Sequence, residues 1–147
     1  MAEQALLSEL HHVGIIVNDL DKSVAYYESL GFGPFKPVVL NVKERILWGE
    51  PMQAPNLKAK MGKAGAIVIE LIQPDLSIDS MWARFLKTRG EGVSHIGYVA
   101  HDIDKEEAEL VKRGFEVMFK ARWVNGGGAT YFATEEKGGT IFEIMQD

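Results

Sequence analysis

His11–Phe32, HHVGIIVNDLDKSVAYYESLGF, and Ser94–Phe115, SHIGYVAHDIDKEEAELVKRGF, align without a gap at an offset of 83. Eight of the 21 positions from His12 to Phe32 are identical: His12/His95, Gly14/Gly97, Asp19/Asp102, Asp21/Asp104, Lys22/Lys105, Ala25/Ala108, Gly31/Gly114 and Phe32/Phe115. Ordinary composition predicts about one or two identities over such a length. The chain therefore carries an internal repeat, and that repeat sets the fold.

A second register lies further on, where GAIVIELIQ (Gly65–Gln73) matches GGTIFEIMQ (Gly138–Gln146) at an offset of 73 and pairs Glu70 with Glu143. The first copy thus holds ten additional residues, the difference between the two offsets. They fall between Gly31 and Gly65, in a stretch punctuated by Pro34, Pro37, Gly49, Pro51 and Pro55 that reads as a long irregular connection over 34–63. Such a connection serves as a lid, a pocket wall or an inert surface insertion.

Each copy has the same local pattern. A β-rich run (Leu10–Val17; Val93–Ala100) leads into Asp-x-Asp-Lys, a start signal in which an Asp accepts from an early helix N–H. Apolar residues at helical spacing follow (Val24, Tyr27, Leu30; Ala108, Leu110, Val111), and Gly31 and Gly114 stand where a helix end favours positive φ. Strand-like runs close each copy at Ile67–Ile72 and Ile141–Met145. Between the copies, Asp75–Arg89 carries Ile78, Met81, Trp82, Phe85 and Leu86, the one-sided pattern of a linker helix.

The expected fold class is α+β, with two tandem βαβββ modules. One domain spans 1–147, with module 1 at about 9–74, the linker helix at about 75–90 and module 2 at about 92–147. A chain of 147 residues is long enough for one core or for two half-size units sharing one, and too short for two independent domains.

Composition narrows the function. The formal charge of −5 and the scattered Lys and Arg residues argue against a nucleic-acid partner. No apolar run approaches the roughly 20 residues of a membrane span. Met1–Leu10 contains Glu3 and Glu9 but no Lys or Arg, unlike a secretory leader, so the expected location is cytoplasmic. With no cysteine, any metal must be held by His and carboxylates.

Four polar residues stand in otherwise apolar strands. Alternation places His12, Gly14 and Ile16 on one face and His95, Gly97 and Val99 on the equivalent face of the second copy. Glu70 shares a face with Val68 and Ile72, and Glu143 with Ile141 and Met145, so both carboxylates are expected to be buried. A buried ionised carboxylate is costly unless paired or bound to metal. A lone strand His is ordinarily a hydrogen-bonded core residue, but here both His and both Glu are duplicated at corresponding places. One divalent ion held by His12, Glu70, His95 and Glu143 accounts for all four, and two imidazoles with two carboxylates suit Zn, Ni, Co, Mn or Fe. His11 falls on the face opposite His12, His101 stands in a turn, and Asn125–Gly128 (NGGG) follows no strand-to-helix phosphate pattern.

On these residues the chain resembles the vicinal oxygen chelate superfamily, which includes glyoxalase I, methylmalonyl-CoA epimerase, extradiol dioxygenases and drug-sequestering proteins. The segments IELIQP (Ile69–Pro74), FLKTRGEGVSHIGY (Phe85–Tyr98) and KGGTIFEI (Lys137–Ile144) look most like the epimerase members. Two departures stand out: Val38–Lys63 is longer than the usual connection, and Lys58, Ala59 and Lys60 fall near the strand that holds a second proton-transfer carboxylate in some epimerases. The resemblance implies that the two modules form an open eight-stranded, barrel-like sheet around a central metal site. It also implies a metal-dependent isomerase, epimerase or lyase that moves a proton next to the carbonyl of a small-molecule or thioester substrate, with Glu143 and Glu70 as catalytic carboxylates, in a homodimer. A glyoxalase I-like lactoylglutathione lyase uses the same ligand set. Four protein ligands argue against ring-cleaving oxygen chemistry. A non-catalytic drug-binding protein of this fold would instead line a pocket with aromatics such as Phe35, Trp48, Trp123 and Tyr131.

Overall fold

Each repeat begins with the strand that its alternation predicts: β1 spans Leu10–Ile16 and β7 spans Gly92–Val99 in the computed structural model, which describes residues 6–147. Residues 1–5 of the N-terminal stretch read above lie outside the described residues. Asp19 and Asp102 cap α1 (Leu20–Ser29) and α3 (Ile103–Lys112), accepting from Lys22 N at 3.1 Å and Lys105 N at 3.2 Å. These bonds satisfy helix N–H groups that have no partner within the helix. Gly31 and Gly114 follow the helix ends with φ of +90° and +99°, a conformation that costs glycine little and other residues more.

The first repeat continues through β2 (Lys36–Pro37), β3 (Val42–Leu47), β4 (Glu50–Pro51), β5 (Lys58–Ala64) and β6 (Ile67–Gln73). The second continues through β8 (Val117–Trp123), β9 (Gly128–Phe132), a short helix α4 (Glu135–Gly138) and β10 (Ile141–Gln146). Together they form a mixed sheet that is not closed, in the order β2-β5-β6-β1-β7-β10-β9-β8-β3-β4. Among the described residues there are ten strands where eight were expected. The two additional ones, β3 and β4, come from the connection read as irregular. They form a hairpin because Trp48 and Gly49 both take positive φ (+49° and +80°), the backbone of a two-residue turn whose twist matches its strands. β3 then pairs with β8, setting Leu47 opposite Phe119, Arg45 opposite Ala121 and Glu44 opposite Arg122. The insertion is a pair of strands on the edge of the second repeat, which the turn residues of its sequence masked.

The linker helix is shorter than its pattern suggests: α2 spans Met81–Arg89. Asp75 Oδ1 accepts from Ser77 N and Ser77 Oγ at 2.9 and 2.6 Å, which holds a turn, and Ser80 Oγ accepts from Ala83 N at 3.1 Å to cap the helix start. Among the described residues no helix is long and apolar enough to cross a membrane.

The chain divides into two compact units, His12–Val39 with Ala54–His95, and Met1–His11 with Leu40–Gln53 and Ile96–Asp147. These units cut across the two modules, because Leu40–Gln53 from the first repeat belongs with the second. The former unit has a helix-side core of Val17, Leu20, Val24, Phe35 and Leu71. The latter has Ala100, Ile103, Leu110, Phe132 and Ile144. The repeat makes Val17, Leu20 and Leu71 the counterparts of Ala100, Ile103 and Ile144. Burial of each such Leu or Ile contributes roughly 1.5–3 kcal/mol relative to exposure. The paired glutamines have equivalent work: Gln73 Oε1 accepts from Leu20 N and Gln146 Oε1 from Ile103 N, both at 2.9 Å. By contrast Leu30 (55% exposed) and Val111 (47%) face outward, against the apolar stripe expected of them.

A polar clamp that periodicity does not reveal ties α3 to β8 and β9. Thr130, fully buried, donates to Glu107 Oε2 at 2.7 Å, and Arg122 and Lys120 both pair with the same carboxylate. Burial alone would raise the Glu107 pKa, but the Thr130 hydroxyl and the Arg122 guanidinium outweigh it and hold the group below the ordinary carboxylate value of 4.5. A depressed folded pKa contributes stability above the unfolded value and loses it as pH falls through the folded value. Glu107→Gln is therefore expected to lower stability at pH 7 by roughly 1–3 kcal/mol, with the gap to wild type shrinking as pH falls below about 4.5. Urea midpoints across that window measure it, and a gap independent of pH would contradict the assignment.

Candidate metal centre

The register of β1 on β6 sets up the centre. The strands pair in parallel, placing His12 beside Val68 and Gly14 beside Glu70. The side chains of His12 and Glu70 therefore leave the sheet on the face that Gly14 leaves open. His12 and His95 are each 1% exposed, and Glu70 is 8% exposed.

The two imidazoles meet edge to face, with ring centroids 5.0 Å apart and planes at 79°. Their Nε2 atoms lie 2.9 Å apart. Glu70 Oε1 is 3.8 Å from His12 Nε2 and 3.3 Å from His95 Nε2. Three donor atoms of metal-ligating type thus converge out of water. Atoms that share an ion at bond lengths near 2.1 Å stand roughly 3.0–3.4 Å apart in octahedral or tetrahedral arrangements; the His95–Glu70 separation of 3.3 Å lies in that range, the His12–His95 separation of 2.9 Å just below it and the His12–Glu70 separation of 3.8 Å above it. Two Nε2–H groups cannot point at one another over 2.9 Å, so at least one imidazole offers a lone pair here. The donor set fits a divalent ion.

Glu143 lies on β10, 4% exposed and directly opposite Tyr131 of β9, with Ile141 and Ile144 buried beside it. Its burial matches the expectation from its apolar neighbours.

Two further residues shape the centre. Gly14 lies flat against the His95 ring: a Cβ at this position would come 1.9 Å from His95 Cε1 and 2.3 Å from Nδ1. Ser94 Oγ lies 3.2 Å from His95 Nδ1 and 3.4 Å from the Gly14 carbonyl oxygen. The repeat signals Gly14 through its match to Gly97. It gives no sign of Ser94, whose counterpart is His11.

Other residues singled out in the sequence have bland settings. His11 is half-buried, and the His101 side chain is 67% exposed beside Glu9 at 3.4 Å. NGGG forms the turn after β8 and enters β9 at Gly128, with Asn125 Oδ1 accepting from Gly127 N at 2.9 Å and Gly126 at a φ of +94°. Phe35 is in a helix-side core over Gly62, Trp48 is 53% exposed, Trp123 donates to Gln146 O at 3.1 Å, and Tyr131 packs on Phe119.

Residues 11–134 match the model of the glyoxalase/bleomycin resistance protein/dioxygenase superfamily. The chain belongs to this family, the vicinal oxygen chelate family. It is similar to the uncharacterized protein YqjC of Bacillus subtilis (strain 168), 23% identical over 142 residues that cover 95% of this chain and 93% of the relative. Among solved structures it resembles a variant of Streptomyces coelicolor methylmalonyl-CoA epimerase in complex with 2-nitronate-propionyl-CoA, at a TM-score of 0.74 and 25% identity, covering 95% of this chain and 97% of that one. It also shares its fold with methylmalonyl-CoA epimerase from Mycobacterium tuberculosis, at a TM-score of 0.70 and 24% identity, covering 99% and 91%.

Proposed function

We propose that the protein is a metal-dependent isomerase of the methylmalonyl-CoA epimerase type, in which His12, Glu70, His95 and Glu143 hold one divalent ion. The observation that carries this reading is the convergence of His12 Nε2, His95 Nε2 and Glu70 Oε1 in a buried setting. Glu143 is supported as the fourth ligand by the repeat, which pairs it with Glu70, and by its burial on β10. Likeness to epimerases that bind acyl-CoA analogues supports a thioester substrate.

A divalent ion held by these residues would supply Lewis-acid chemistry toward a substrate carbonyl and so acidify the neighbouring C–H. The protein supplies the base. Glu143 takes the α-proton, and Glu70 stays a ligand or serves the second proton transfer that inversion requires. The buried setting keeps bulk water from competing for the proton.

The test is α-proton exchange in D2O followed by NMR, using protein loaded in turn with Zn, Ni, Co, Mn or Fe. Exchange with methylmalonyl-CoA is the expected result. Exchange only with the methylglyoxal–glutathione hemithioacetal would move the assignment to a glyoxalase I-like lyase, and exchange with neither substrate for any metal would overturn the proposal.

A further inference from the structure

We infer that Arg45, carried on the β3–β4 hairpin, binds an oxyanion on the tail of the substrate, a phosphate or a carboxylate remote from the reacting carbon. The inference rests on the proposed reading of Glu143 as the base and adds to it the class of tail that the substrate carries. Strand register places the residue. Glu143 of β10 stands opposite Tyr131 of β9, Tyr131 opposite Phe119 of β8, and Phe119 opposite Leu47 of β3. Residues directly opposite one another share a face, so these four make one row across the sheet. Arg45 is two residues from Leu47 and therefore on the same face, opposite Ala121, which is itself opposite Ala129.

That face is the one turned away from α3. Lys120 and Arg122, on either side of Ala121, both reach Glu107 of α3, while Phe132 and Ile144, the neighbours of Tyr131 and Glu143, pack with Ile103 and Leu110 of that helix. The Arg45 guanidinium thus lies on the side of the sheet that Glu143 faces. Arg84, Arg113 and Arg122 pair with carboxylates, and Arg89 lies over the Phe85 ring. Arg45 is half-buried and, among the described residues, its side chain has no hydrogen bond or ion pair. Ala121 and Ala129 have no group that could accept from it, and Glu50, exposed opposite Leu47 on β4, forms no ion pair with it. A partly desolvated cation without a counter-charge is poorly placed as a structural clamp and well placed to receive an anion. Its planar fork matches a carboxylate or a phosphate with two parallel hydrogen bonds. Three inter-strand spacings, roughly 14 Å along the sheet, separate β3 from β10. The anion therefore belongs to the tail and not to the group beside the reacting carbon.

Titration calorimetry with coenzyme A, which carries phosphates, and with S-methylglutathione, which carries only carboxylates, identifies the tail. Wild type is expected to bind one of the two. Arg45→Met should weaken that binding by about 10–100-fold, the usual effect of losing a hydrogen bond to a charged group, and Arg45→Lys should recover only part of it, because an ammonium has charge but no fork. Pantetheine, which has neither anion, should bind wild type and Arg45→Met alike. In turnover, KM for the exchanging substrate should rise by the same factor in Arg45→Met while kcat holds. Equal affinity of wild type and Arg45→Met for the anionic probe overturns the inference, as does a wild type that binds neither probe. If Arg45→Met loses the probe but wild type exchanges no α-proton, the anion site stands and the isomerase reading fails. Exchange with an unchanged KM in Arg45→Met keeps the isomerase reading and overturns the anion site.

Discussion

Glu143→Gln is expected to lower turnover on the exchanging substrate by about 10²–10⁴-fold, the usual contribution of a positioned general base, while the purified variant still carries metal. The reasoning separates two duties of one side chain. The amide oxygen of Gln has a lone pair and nearly the shape of the carboxylate, so it can still face an ion, but it cannot accept and hold a proton. Glu143 is 4% exposed on β10, so no solvent carboxylate substitutes for it. Removing a buried charge by an isosteric change also leaves the packing of Ile141 and Ile144 intact, and the thermal midpoint should move little. Turnover and metal content of the same preparation are the two measurements. Full activity in the variant would remove Glu143 from the proton transfer, and lost activity together with lost metal would make it a ligand only.

Gly14→Ala is expected to lower stability and weaken metal binding together. The added methyl would fall 2.5 Å or less from three atoms of the His95 imidazole. His95 is 1% exposed and cannot swing into solvent without unpacking β7, while β1 is held in register with β6 from His12 to Ile16. Either the ring leaves its position or the strands part. Overpacking of this kind costs roughly 1–3 kcal/mol, and displacing a ligand ring should weaken Co(II) binding by at least about 100-fold. Urea unfolding and Co(II) titration measure the two effects. A variant with wild-type stability and affinity would show that the ring has room to move, and with it the argued rigidity of the centre would fall.

The family match and the structure support much of what the repeat implied. Eight identities over one ungapped stretch located β1, α1, β7 and α3, because strand alternation, Asp caps and glycines after helix ends are local signals within a few residues of one another. The same repeat singled out His12, Glu70, His95 and Glu143, since polar residues in apolar strands are expensive and duplicated expense is rarely accidental. Elsewhere local signals misled. Asp75–Arg89 has helical periodicity, but the Asp75 turn and the Ser80 cap delay the helix to Met81. Pro and Gly in 34–63 read as irregular chain, yet Trp48 and Gly49 form a hairpin turn whose strand finds β8 some 70 residues away in sequence.

By itself, then, the sequence determined that this protein is internally duplicated, each copy opening on a strand and a capped helix and closing on a strand, with paired imidazole and carboxylate positions, because repetition and alternation are written along the chain. Only the tertiary structure decided that β3 pairs with β8, that Glu107 is clamped by Thr130 and Arg122, and that Gly14 and Ser94 hold the His95 ring. Each of these joins residues far apart in sequence through a strand register or a side-chain direction. No local periodicity encodes such a match, because it is settled only when separate segments pack against one another.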